Sequence, residues 1–133
     1  MIDDDPAVRE SLGLALESEG YQVIPACDGQ EGLTRFYDGY VDIVLLDLNT
    51  PVLSGWDTFE RITAVNPSIP VIIITARADQ YDKAALAGAT ALMEKPLHIP
   101  MLLRTIRRLL DEPVERRIER IVAHKTMMLP SIG

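Results

Sequence analysis

The sequence predicts an α/β domain: a parallel sheet covered by helices on both faces. Two observations carry that reading. Segments with helical periodicity alternate with short strand-like segments along the chain. Two of those segments, VDIVLLD (41–47) and VIIIT (71–75), are continuous apolar runs, the pattern of strands buried on both faces.

Each element follows from its residues. PAVRESLGLALESE (6–19) opens with proline, which suits a first helical position, spaces Val8, Leu12, Ala15 and Leu16 helically, and ends before Gly20. YQVIPA (21–26) reads as a short strand, with Pro25 marking an edge or an end. GQEGLTRFYDG (29–39) is a short helix between glycines, and the 41–47 strand follows. TPVLSG (50–55) is a loop, and WDTFERITAV (56–65) a helix that turns Phe59, Ile62 and Trp56 inward. After the turn NPSIP come the 71–75 strand, a loop at 76–82 and an alanine-rich helix at 83–89. ALMEK (91–95) is a brief strand, and IPMLLRTIRRLL (99–110) an amphipathic helix with a basic outer face. Crossovers between parallel strands are right-handed. Ligands of such sheets bind beyond the carboxyl ends of the strands.

The 133 residues suit one domain with a single core. Residues 1–112 are expected to form it, with 113–133 as a helical extension or linker and tail. A net charge of −7 argues against general attraction to nucleic acid or anionic lipid, so neither is expected as a direct partner. No apolar run is long enough to span a bilayer, and no secretory leader opens the chain, which reads as cytoplasmic. The single Cys27 has no disulfide partner and reads as a half-buried structural thiol. His98 and His124 have no metal-type spacing and read as surface residues.

Parallel strands bring their carboxyl ends to one rim, so Asp47, Thr75 and Lys95 should converge there beside the opening acids Asp3, Asp4 and Asp5. Two carboxylates about 4 Å apart repel by roughly 4 kcal/mol at an effective dielectric near 20. Such a cluster calls for a cation. Hard oxygen ligands favour Mg²⁺, or Mn²⁺, which keeps several waters and accepts a phosphate oxygen. Lys95 adds a fixed positive charge, and Thr75 a hydroxyl that can donate to an anion.

Four signatures in order, Asp3-Asp4 before a helix, VLLDLNTPVLSGWD, VIIITA and Lys95-Pro96, make the chain resemble the receiver domains of two-component response regulators over residues 2–110. The resemblance implies a doubly wound five-stranded parallel sheet of order 2-1-3-4-5, as in flavodoxin and the chemotaxis regulator CheY. It implies a signalling phosphoacceptor rather than an enzyme. Asp47 would take a phosphoryl group from the phosphohistidine of a sensor histidine kinase or phosphotransfer protein. Asp4, Asp47 and the backbone carbonyl of Asn49 would ligate the metal, and Asp3 would act through a water. Thr75 and Lys95 would bind phosphoryl oxygens. Asp5 would face solvent or cap the helix. In this family Pro96 often follows a cis peptide bond.

The chain departs from the pattern in two places. The aromatic residue that many receivers carry three positions before the lysine is Leu92 here, so signalling would rely on backbone shifts across the 83–110 face, which could also support a homodimer. Asn49 and Arg77, two positions beyond Asp47 and Thr75, would tune phosphoryl lifetime; Arg77 would shield the phosphoryl group or simply stay solvated. More consequentially, only Met1 and Ile2 precede the acids, so the first, central strand is truncated. Either upstream residues complete it or another segment, such as the tail TMMLPSIG or a neighbour's strand, fills the slot. Two rival readings stand beside the phosphoacceptor. A phosphorylation-independent scaffold would normally lose an acid or the lysine, and neither is lost. A haloacid-dehalogenase-type phosphatase would need Asp-x-Asp-x-Thr or Val, and here that stretch ends in Ala7.

Overall fold

The structure, a computed structural model, describes residues 1–2, 6–48, 55–76 and 88–111. Its elements in chain order are α1 (Pro6–Ser18), α2 (Gly29–Asp38), β1 (Val44–Asp47), α3 (Gly55–Val65), β2 (Val71–Thr75), β3 (Ala91–Glu94) and α4 (Ile99–Asp111). The regular sheet is parallel, in the order β1-β2-β3. Asp47 lies opposite Ile74, and Thr75 opposite Glu94. Two more positions extend the sheet beyond β1. Ile2 forms single parallel bridges to Leu46 on one side and to Ala26 on the other. Read across, the order is Ala26, Ile2, β1, β2, β3, which is the order the resemblance implied.

The apolar strands bury side chains on both faces. On one face Ile2, Val44, Leu46, Val71 and Ile73 pack with Leu33 of α2 and with Phe59 and Ile62 of α3. On the other, Leu45, Ile72 and Ile74 pack with Leu12 and Leu16 of α1 and with Leu102, Ile106 and Leu109 of α4. This two-sided covering explains why β1 and β2 show no polar alternation.

Helix ends are made by local chemistry. At the end of α1, Gly20 adopts φ +91°. Its N–H donates to Glu17 O at 2.9 Å, while Tyr21 N–H donates to Leu16 O at 3.2 Å, the paired bonds of a Schellman stop. Asp28 caps α2 by accepting from Glu31 N–H at 2.8 Å. At α4, His98 Nδ1 accepts from Met101 N–H at 3.2 Å.

Two strands are shorter than the sequence predicts. The 21–26 segment reduces to a bridge at Ala26, and the 41–47 strand starts at Val44. The 41–47 segment pairs with β2 from Val44 onward, opposite Val71, and among the described residues the 21–26 segment is bridged to the sheet at Ala26 through Ile2. Gly55, read as loop, belongs to α3, and Trp56 is half-buried with its ring edge-on to Phe59 at 6.0 Å. The 50–54 loop, most of the 76–82 loop, most of the 83–89 helix and the 113–133 extension lie outside the described residues.

Candidate functional site

β1 ends at the carboxyl rim with Asp47, whose residue is 1% exposed. A buried carboxylate needs partners. Lys95 supplies one: its Nζ donates to Asp47 Oδ2 at 2.5 Å, with the lysine side chain 31% exposed. The lysine reaches this position because β3 ends at Glu94, one residue earlier, and because Lys95 N–H donates to Thr75 O at 2.8 Å. The Lys95–Pro96 peptide is cis.

Thr75 closes β2 and is 1% exposed. It stands one residue beyond Ile74, the register partner of Asp47. Thus the three polar residues that end β1, β2 and the β3 segment lie on one rim, held by consecutive ladder bonds. The remaining wall starts from Ile2. Asp47 N–H donates to Ile2 O at 3.0 Å, and Ile2 is followed directly in sequence by Asp3 and Asp4.

Asp3, Asp4, Asn49 and Arg77 lie outside the described residues. Among the described residues no group of three or more His, Cys, Asp or Glu side chains clusters as a metal site. Leu92 is half-buried in β3 opposite Ile73 and packs against the cluster that contains Phe59 and Ile2. The position carries no aromatic ring that could swing between an inner and an outer site.

Sequence reading missed Gly55. A Cβ there would lie 2.5 Å from Leu48 Cα and 2.9 Å from Leu48 O, both backbone atoms that cannot move aside cheaply. Glycine therefore lets the start of α3 lie directly against the residue after Asp47, bracing the chain as it leaves the rim. The signal was present in the SGWD stretch that follows the β1 carboxylate.

Away from the rim, Cys27 Sγ donates to Glu31 Oε2 at 2.8 Å. That bond holds the Glu31 carboxyl below its usual range and raises the Cys27 thiol above its own. Cys27 is half-buried and free, as expected from sequence. Among the described residues no helix is long and apolar enough to cross a membrane.

A rim of this kind on a doubly wound sheet defines a class, and comparison with known proteins agrees with it. The family model for the response regulator receiver domain matches residues 1–107. The chain belongs to that family. It is 36% identical over 135 residues to the transcriptional regulatory protein GlrR of Escherichia coli (strain K12), covering 97% of this chain and 30% of the relative. It is also 36% identical over 120 residues to the response regulator ArlR of Staphylococcus aureus (strain Mu50 / ATCC 700699), covering 89% of this chain and 54% of the relative. The chain thus spans about a third to a half of these curated relatives. Among solved structures, a CheY-like receiver domain protein from Methanospirillum hungatei JF-1 superposes with a TM-score of 0.80 at 32% identity, covering 86% of this chain and 93% of that one. The response regulator TrrA of Thermotoga maritima, in complex with Mg²⁺-BeF, gives 0.75 at 29% identity, covering 81% and 94%. Receivers are signalling domains of two-component systems; they pair with histidine kinases and generally bind Mg²⁺.

Proposed function

We propose that this chain is a phosphoacceptor receiver in which Asp47 takes a phosphoryl group from a phosphohistidine. The observation that carries the reading is a buried carboxylate at the end of β1, ion-paired to Lys95 on a rim shared with Thr75. One Asp47 oxygen forms a bond to phosphorus as the P–N bond of the phosphohistidine breaks, and the imidazole nitrogen keeps the electron pair. Lys95 is the cation that neutralises an oxygen of the transferred group, and the Thr75 hydroxyl donates to another. Lys95 already rests on the nucleophile, so uptake requires its ammonium to shift from Asp47 Oδ2 to the new phosphoryl oxygen.

The donor set at this rim fits a hard divalent cation: the Asp47 carboxylate and, as neighbours in sequence of Ile2 and Leu48, the acids Asp3 and Asp4 and the Asn49 carbonyl. Asp47, Asp4 and the Asn49 carbonyl would hold Mg²⁺ (or Mn²⁺) directly, and Asp3 through a water. When bound, the ion supplies charge compensation between these carboxylates and the phosphoryl group. The Mg²⁺-BeF in the TrrA neighbour supports this assignment. Arg77 would modulate phosphoryl lifetime, and Leu92 leaves the response to backbone shifts rather than to an aromatic switch.

Residues 1–112 act as the receiver unit and 113–133 as the extension, in the cytoplasm, with a sensor histidine kinase or phosphotransfer protein as donor. Intact-mass spectrometry after incubation with acetyl phosphate and Mg²⁺ tests the assignment. One phosphoryl group should add to the chain and none to Asp47→Asn. Equal uptake by both would move the acceptor elsewhere, and repeated turnover of phosphate esters would favour the phosphatase alternative.

A further inference from the structure

The inner side of α1 carries Leu12 and Leu16 into the core, and its outer side carries Glu10, Leu14 and Glu17. These three are spaced four and three residues apart, so they share one helix face, and Leu14 is 62% exposed. Beside them an open groove of about 350 Å³ separates α1 from the 21–26 segment, with Gly13 and Leu14 on one side and Val23 and Pro25 on the other. Glycine inside a helix weakens it. A Cβ at Gly13 would meet only Val23 Cγ1, at 4.0 Å, so the fold leaves room for a side chain that the sequence withholds. The groove stays open there.

Glu10 and Glu17 also line the groove and make no ion pair among the described residues. Arg9, on the same lining, has a partner of its own. The surface on offer is therefore an exposed leucine between two carboxylates. At the end of α1, Glu19 pairs with Arg107 of α4 at 3.9 Å, which sets the last turn of α4 beside the Glu17 end of the groove.

The sequence that follows α4 matches this surface. Pro113 stops that helix from continuing. Residues 112–116, extended, reach about 16 Å, enough to pass the end of α1, a helix about 10 Å wide. RIERIVAHK (117–125), read as a helix, gathers Ile118, Ile121 and Val122 on one side and leaves Arg120 and Ala123 on the other. Arg117 and Lys125, eight residues apart, frame the apolar side much as Glu17 and Glu10, seven apart, frame Leu14. Laid antiparallel to α1, Arg117 meets Glu17, Ile121 meets Leu14 and Lys125 meets Glu10.

We propose that the 117–125 segment folds back as a helix into the groove between α1 and the 21–26 segment, in this register. The contact is intramolecular across a short connection, so its effective concentration is high and modest contacts suffice. Whatever follows the receiver is then held along α1 instead of projecting from α4. The groove is distinct from the phosphoacceptor rim and does not depend on that assignment.

The test uses the full chain carrying Cys27→Ala and a nitroxide on Ala123→Cys, on the side away from the docked face. In dilute, isotope-labelled samples the nitroxide should broaden the amide signals of Glu10, Leu14, Glu17 and Val23. Gly13→Met should abolish the broadening without lowering the unfolding midpoint, because its side chain fills the groove and methionine is the better helix former. Arg117→Glu should cut the docked population about threefold, and adding Glu17→Arg should restore it. Sharp α1 amides in the parent would overturn the proposal, as would broadening that survives either Gly13→Met or Arg117→Glu. Broadening passed to isotope-labelled chains from spin-labelled chains mixed with them would assign the groove to a second copy and overturn it equally.

Discussion

On one side of β1 the backbone runs in register with β2 along four residues, and β2 with β3 along four more. On the other side, among the described residues, Ile2 bridges β1 to Ala26 through single parallel pairs. Both sides belong to one sheet and both are apolar, yet the chemistry gathers where the ladder is long. Each consecutive strand carries its last residue to the same rim, so Asp47 and Thr75, together with Lys95 just past the end of β3, meet without any of them being near another in sequence. In a parallel sheet, placement of a site is therefore a by-product of register. Ile2, bridged to Leu46 and to Ala26, holds position beside the rim.

The comparison can be broken first at its thin side. Ile2 is buried, its side chain reaches the Gly32 position of α2, and its backbone ties both walls together. Ile2→Ala should cost about 3 kcal/mol of stability, measured by urea unfolding. A change below about 0.5 kcal/mol would show that the short side contributes little and that β1–β3 stand without it.

At the well-laddered side, Lys95→Met should lower phosphoryl uptake from acetyl phosphate about 100-fold while leaving the far-ultraviolet circular dichroism unchanged. Lys95→Arg should recover part of the rate by keeping the positive charge. Uptake unaffected by Lys95→Met would remove the lysine from the chemistry and leave it a structural counter-ion.

The smallest effect lies at Cys27 and Glu31, next to the Ala26 bridge. With Glu31 held low by the thiol hydrogen bond, its contribution to stability is complete above the ordinary glutamate range and fades as pH falls through the lowered folded value. The thiol, raised by the same bond, contributes below its ordinary range and loses that contribution as pH rises through the raised folded value. Cys27→Ala should therefore differ most from the parent between those limits. A Glu31 carboxyl that titrates identically by NMR in both proteins would contradict the bond.

Much of this was readable before any coordinates. The long apolar runs at 41–47 and 71–75 announced strands covered on both faces, and their polar last residues announced the rim. Proline at position 6 and glycine at 20 marked the ends of α1 because their backbone preferences act locally. What could not be read depended on partners distant in sequence. YQVIPA has strand composition, but its partners are Met1 and Ile2, more than twenty positions earlier, which meet it at Ile24 and Ala26. The need for glycine at 55 arises from how closely α3 lies against Leu48, a distance no local pattern encodes. The likeness to receivers supplied the strand order, which periodicity alone could not.

The direct test of the central claim is to locate the phosphoryl group itself. After acetyl phosphate and Mg²⁺, reduction with borohydride converts an aspartyl phosphate to homoserine, and tandem mass spectrometry reads its position. The account predicts homoserine at position 47 and nowhere else. Homoserine at position 3, 4 or 5 with Asp47 intact would contradict it.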